Sequence, residues 1–162
     1  IGKIPASRVR SDVERKRLFN LGPGERSGSG VESGLYTVSA TDRTYQHLAG
    51  LCDIGLRARF NMMADATFLQ QRHRVLFLDL ADRLQVMPVI LDCSAAVETL
   101  RNRIRTRATD PQHVSEADLG VLEHQLAHHD PLTADEKRLT SQVSLDQDID
   151  FSTLIQPIAS RK

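Results

Sequence analysis

The period of the apolar positions changes along this 162-residue chain, and each change marks an element. Residues 6–11 read as the end of a strand and 12–20 as a short helix. Residues 20–34 are rich in glycine and serine and too polar for a core, so a flexible loop is predicted. From 39 to 57, Ala40, Tyr45, Leu48, Ala49, Cys52 and Leu56 recur at helical spacing, with Ser39 placed as the cap. Residues 60–65 form a compact apolar run ending in a carboxylate, the pattern of a buried parallel strand. Residues 68–84 place Phe68, Leu69, Val75, Leu76, Leu80 and Leu84 on one helical stripe. Residues 86–92 are the next strand, which starts at Val89 because Pro88 cannot donate to a ladder. A helix over 94–107 capped by Ser94, a polar loop over 108–115 and a helix over 116–129 with Leu119, Leu122 and Leu126 inward come next. Residues 141–146 alternate like a last strand, and 151–159 read as a short closing helix.

Strands separated by crossover helices predict an α/β fold with a mainly parallel sheet covered on both faces. Ligands in such sheets bind beyond the carboxyl ends of the strands. Asp12, Asp65 and Asp92 each fall at a predicted strand end, which is the first sign of function.

Bulk composition narrows the classes. Hydrophobic residues are 40% and charged residues 26%, as in an ordinary globular protein. Lys+Arg and Asp+Glu are both 21, so the net charge is zero. That balance, with only 4% aromatic residues, argues against a nucleic-acid partner. Two cysteines, Cys52 and Cys93, make neither a disulfide framework nor a zinc set, and free thiols suit a reducing cytoplasm. No run of about 18 apolar residues predicts a membrane span, and no signal peptide is visible. The opening Ile1-Gly2-Lys3-Ile4-Pro5 reads as the interior of a longer protein, so a fragment is expected.

Charge is locally uneven. Asp12 and Arg15 lie three apart, on nearly the same side of a helical turn. They are either a surface ion pair or an acceptor site, in which the carboxylate takes a hydroxyl proton and the guanidinium holds an anion. Asp65 is either the cap of the following helix or an acid that holds Mg²⁺ through water. Arg101, Arg103, Arg105 and Arg107 form the densest basic cluster, with Arg103 and Arg107 on one face. A helix C-terminus accommodates one or two such cations; an anion clamp at a lid over 101–115 accounts better for four. His124, His128 and His129 have helical metal spacing in part, but no acid or thiol completes a set, and a solvated helix end is favoured. Asp92-Cys93 reads as a strand end with a small buried thiol. The loop at 22–34 lacks the G-x-x-x-x-G-K-[ST] pattern of a phosphate cradle, and Gly2-Lys3 has no glycine-rich stretch before it.

Taken together, RVRSDVERKRLF at 8–19, GLY at 34–36, DATFL at 65–69, LRNRIRTR at 100–107 and SEADLGVLEHQL at 115–126 resemble a P-loop kinase. The resembling group includes zeta toxins, gluconate kinase and phage polynucleotide kinase. Within it, the chain looks most like the bacterial ATP-binding domain fused behind an aminoglycoside-phosphotransferase-like domain. The stretches span nearly the whole chain in the family's order. The resemblance implies a three-layer P-loop NTPase-like fold, truncated at the N-terminus and lacking one central strand. It implies Asp12 as the substrate-side acid with Arg15 as its D-x-x-R partner, and Asp65 as the acid of the Mg²⁺–nucleotide site. Arg103 and Arg107 would be the lid arginines. The implied reaction moves the γ-phosphoryl of ATP to a hydroxyl of a small molecule. The phosphate loop would lie before Ile1, and the 162 residues alone are expected to be inactive. A nucleotide-binding or regulatory module without catalysis and a nucleic-acid end kinase are the alternatives.

Overall fold

The computed structural model describes residues 5–22, 25, 37–107 and 119–147. The chain runs β1 (Ala6–Arg10), α1 (Ser11–Leu18), α2 (Val38–Arg57), β2 (Asn61–Asp65), α3 (Gln71–Arg83), β3 (Ile90–Ser94), α4 (Val97–Arg107), α5 (Leu119–Ala127), α6 (Ala134–Arg138) and β4 (Thr140–Ser144). Both strand pairings are parallel. Strand β1 pairs β2 with Arg10 opposite Asp65, and β3 pairs β4 with Ser94 opposite Ser144. The carboxyl ends of each ribbon therefore coincide. Among the described residues β2 and β3 do not pair, so the sheet is two ribbons rather than one.

The main core lies under the first ribbon. Helix α2 buries Ala40, Thr44, Tyr45, Leu48, Ala49 and Cys52, the stripe its periodicity predicts. Ala49, Cys52 and Leu80 form a cluster on which Val9, Met62 and Ala64 pack from the strands. These alternate strand residues face the helices, which leaves Arg8, Arg10 and Asp65 on the other face. Residues 60–65 are consequently half-buried rather than buried, and Phe60 stays outside the strand, 62% exposed. Burial pushes the Cys52 thiol up to about 11, which leaves it an inert core group.

Several predicted boundaries move, each for a local reason. Thr37, not Ser39, caps α2, accepting from Ala40 N at 3.3 Å. Helix α3 begins at Gln71, because Phe68 and Leu69 belong to a loop whose carbonyls are taken by Arg74. Strand β3 runs through Ser94, so Asp92 lies inside it and Cys93 is exposed. Ser94 cannot cap α4; Asp146 instead accepts from Ala96 N at 2.6 Å, across from β4. On α5 the buried residues are Val121 and Leu122, while Leu126 is 37% exposed. The chain also forms α6, which the apolar pattern did not announce. A capping box starts it: Glu136 N donates to Thr133 Oγ1 at 3.2 Å, and Thr133 N to Glu136 Oε2 at 2.8 Å. The predicted loop over 108–115, the first residues of the 116–129 helix, the closing helix over 151–159 and most of the glycine-serine loop lie outside the described residues.

One buried ion pair joins the two halves. Arg74 of α3 and Glu136 of α6 have side chains only 6% and 3% exposed and meet at 2.6 Å. Arg74 also donates to the carbonyls of Phe68, Leu69, Asp130 and Pro131 at 3.0–3.3 Å. The arginine holds the Glu136 carboxyl below the usual carboxylate range. The pair's stability is thus present above about pH 4.5 and is lost as pH falls through the lowered folded value. Replacing Glu136 by Gln strands the Arg74 charge in the interior. Urea unfolding at neutral pH is expected to show a loss of about 3–5 kcal/mol. A loss below about 1 kcal/mol would show that the pair is not what holds the halves together.

Candidate active site

The carboxyl end of the β1–β2 ribbon collects charge because β1 passes straight into α1. Asp12 occupies the first turn of α1, where the helix N-terminus favours an anion. Its carboxylate accepts from Val13 N at 2.9 Å and from Arg10 Nε at 3.1 Å and Nη2 at 2.5 Å. Asp65, the last residue of β2, accepts from Arg8 Nε at 2.9 Å and is also bonded to Arg8 Nη2. Two acids and two arginines thus share one strand end. The sequence reading named both acids but neither arginine; the alternation of Arg8 and Arg10 along β1 was the signal available.

Arg15 is only 9% exposed and turns into the α1–α2 contact, donating to Thr41 Oγ1 at 3.2 Å. Asp12 and Arg15 are therefore brought to one end of the fold but engage different partners. The second ribbon approaches the same region, and partial burial, then Asp92 and Asp65, raise the thiol of the otherwise exposed Cys93. Asp92 lines a cavity of about 700 Å³ together with Thr67, Phe68, Leu69, Lys137 and Gln142. The arginine-rich helix α4 is tied to the turn after β4 and touches α5. Arg103 Nη2 donates to Leu145 O at 2.8 Å. Arg101 pairs with Glu98 at 2.7 Å and Glu123 at 2.8 Å, so acids outside 101–107 compensate part of the cluster. Arg105 bonds Asn102 at 3.0 Å. The Arg107 side chain and the rest of the predicted lid lie outside the described residues. On α5, the rings of His124 and His128 stack at 4.2 Å, and His128 Nδ1 sits 2.9 Å from His124 O.

Oxygen donors of the hard type that Mg²⁺ prefers are present at the strand ends, in the Asp65 carboxylate foremost. Arg8 competes for that carboxylate. Both side chains are about half exposed, at 50% and 41%, so the pair is weak enough to exchange for a hydrated cation.

The mainly parallel α/β architecture, with acids at aligned carboxyl ends, is that of a P-loop NTPase-like fold. Residues 1–132 match the AAA_33 family of AAA domains, and the chain belongs to that P-loop kinase-like family. Two solved structures are similar in fold. One is the "putative kinase" of Chloroflexus aurantiacus J-10-fl, with a TM-score of 0.61 and 16% identity over 97% of this chain and 84% of that one. The other is an unliganded sugar kinase of Janibacter sp. HTCC2649, with a TM-score of 0.61 and 16% identity over 96% of this chain and 78% of that one. No curated protein matches the chain. Among the described residues, no helix is long and apolar enough to cross a membrane.

Behind the site, His73 is 5% exposed, with Nε2 2.7 Å from Asp42 Oδ1. Burial holds the ring below its ordinary value of 6.5, against the opposing pull of Asp42. The unfolded chain therefore takes up this proton before the folded one. The stability His73 contributes is present above about pH 6.5 and is lost as pH falls below it. Thermal melts at about pH 7.5 and about pH 5.5 are expected to show a smaller drop in Tm for His73→Gln than for the parent. An identical drop would contradict a neutral buried ring.

Proposed function

We propose that this chain is the phosphotransferase core of an ATP-dependent kinase acting on a hydroxyl of a small molecule. The observation that carries the reading is the placement of Asp12 and Asp65 together at the carboxyl end of one parallel ribbon. Asp12 is the acceptor-side base. It takes the hydroxyl proton as the hydroxyl oxygen bonds the γ-phosphorus of ATP and the bond to the β–γ bridging oxygen breaks, releasing ADP. Arg10 must give up its hold on Asp12 for this step, which its 37% exposure permits. Arg15 would hold an anionic group of the acceptor once its guanidinium turns out of the α1–α2 contact with Thr41. Asp65 holds Mg²⁺ through water, and the ion supplies charge neutralisation on the phosphates when bound. Arg103 and Arg107 act on the transferring phosphoryl group, where catalysis is mostly positioning and electrostatics.

The 162 residues contain no glycine-rich loop ending in Lys-Ser/Thr, and the reading requires such a backbone cradle for the phosphates. Among the described residues β2 and β3 do not pair with each other, and a parallel strand added between them would join the two ribbons. Sugars are the first acceptors to try, with aminoglycosides and nucleosides after them; the Janibacter neighbour is a sugar kinase. A second reading, a nucleotide-binding module without catalysis, draws on the arginine that each acid already carries.

Labelled phosphoryl transfer from ATP to that panel, using the whole encoded protein, tests the reading. Asp12→Asn is expected to lower kcat by about 10²–10⁴-fold. Arg103→Ala is expected to lower kcat more than it raises KM. Transfer by Asp12→Asn at the parent rate would remove Asp12 from the base role, and absence of transfer to every acceptor would favour the second reading.

A further inference from the structure

The described backbone has four non-glycine residues with positive φ: Asn20, Arg59, Phe68 and Gln85. Three of them end helices. Leu21 N donates to Lys16 O at 2.9 Å, Phe60 N to Gly55 O at 3.0 Å, and Val86 N to Ala81 O at 2.9 Å. These are the six-to-one bonds that make a left-handed residue favourable at a helix end. Phe68, at φ 48°, ends no helix. A bulky side chain in that region is strained and persists only where its surroundings impose it.

The surroundings here can be named. Tyr45 Oη accepts from Phe68 N at 2.9 Å, and Arg74 Nη1 donates to Phe68 O at 3.0 Å. The Phe68 ring lies edge-on to Tyr45 at 5.3 Å and to Phe77 at 5.0 Å. Tyr45 is itself fixed, 3% exposed and stacked on His73 at 3.9 Å with the rings 6° apart. Its hydroxyl also lies 3.4 Å from Thr67 Oγ1. Burial raises the Tyr45 pKa, so the phenol stays protonated and can both accept and donate. One helical turn earlier on α2, Thr41 receives Arg15. A single stripe of one helix thus touches the acceptor-side arginine and the loop that follows Asp65.

We infer that Tyr45 is a positioning residue: its hydroxyl holds Phe68 in the left-handed turn that registers Thr67 and the Asp65 strand end against the Arg15 side of the site. The inference rests on the reading of those two sides as halves of one phosphoryl-transfer site. Arg74 grips the same residue, but it also joins the two halves of the fold. The Tyr45 hydroxyl can be removed without touching that pair.

The test uses the whole encoded protein in Tyr45→Phe, which keeps the ring and its stacking. The intraresidue HN–Hα NOE at Phe68, strong at positive φ, is expected to weaken. Exchange of the Phe68 amide is expected to quicken by about tenfold or more, while the Leu80 amide in the core changes by less than about threefold. Adding Phe68→Asn, which tolerates the left-handed region, is expected to restore the strong NOE at position 68. An unchanged NOE and exchange rate at Phe68 would overturn the inference. So would a parallel change at Leu80, because the hydroxyl would then serve the fold as a whole. If Tyr45→Phe does not fold, the double variant decides: folding with a strong NOE supports the inference, and failure to fold overturns it. No nucleotide enters these measurements, so loss of the kinase reading would leave the turn result standing and remove only the site it serves.

Discussion

A single guanidinium, that of Arg74, ties the fold together. It reaches Glu136 on one side and four backbone carbonyls on the others. Those carbonyls belong to the loop after β2 and to the segment before α6, so one side chain fixes both ribbons' neighbourhoods at once. Asp130 N adds a backbone bond to Leu69 O at 2.8 Å alongside it. A buried charge tolerates no missing partner, and this one has a full set. The consequence is geometric. Among the described residues β2 and β3 do not pair with each other, so Arg74 rather than sheet hydrogen bonding ties the ribbons' neighbourhoods together.

The candidate site inherits its order from that constraint. Asp12 and Asp65 are positioned by parallel pairing of β1 and β2, which fixes Arg10 opposite Asp65. Helix α2 relates the two sides through Thr41 and Tyr45, and Arg74 holds the far edge of the loop that carries Thr67. Each acid carries an arginine from β1, which neutralises it. On the proposed reading, entry of a polyanion and a cation would exchange those partners rather than create charge in a dry interior. The exposed Arg8–Asp65 pair is worth roughly 0–1 kcal/mol, so its exchange costs little.

Much of this was legible in the chain, where it depended on local periodicity. The α2 stripe, the run before Asp65 and the βαβ order needed only the spacing of apolar residues. Boundaries failed where a distant group overruled the local pattern. Phe68 and Leu69 look like the first turn of α3, but Arg74 and Tyr45 hold their backbone in a loop. Ser94 looks like a cap, but pairing with Ser144 keeps it in the strand and Asp146 caps α4 from across the ribbon. Helix α6 had a readable signal in Thr133 and Glu136 three residues apart, too short for any apolar period to reveal. Of the candidate site, the location of both acids at the end of the first ribbon was legible. The Arg8 pairing was not, because it spans 57 positions to Asp65 and depends on register, whereas Arg10 lies only two residues from Asp12.

The central claim is that the two strand-end acids form the metal and phosphate side and the acceptor side of one site. Paramagnetic broadening by the Mn²⁺ complex of ATP, followed amide by amide in the whole encoded protein, tests it most directly. The account expects Asp65, Thr67 and Cys93 to broaden first, with Asp12 and Val13 next and α5 last. Broadening that centres on His124 and His128, or that spares the carboxyl end of β2, would contradict it.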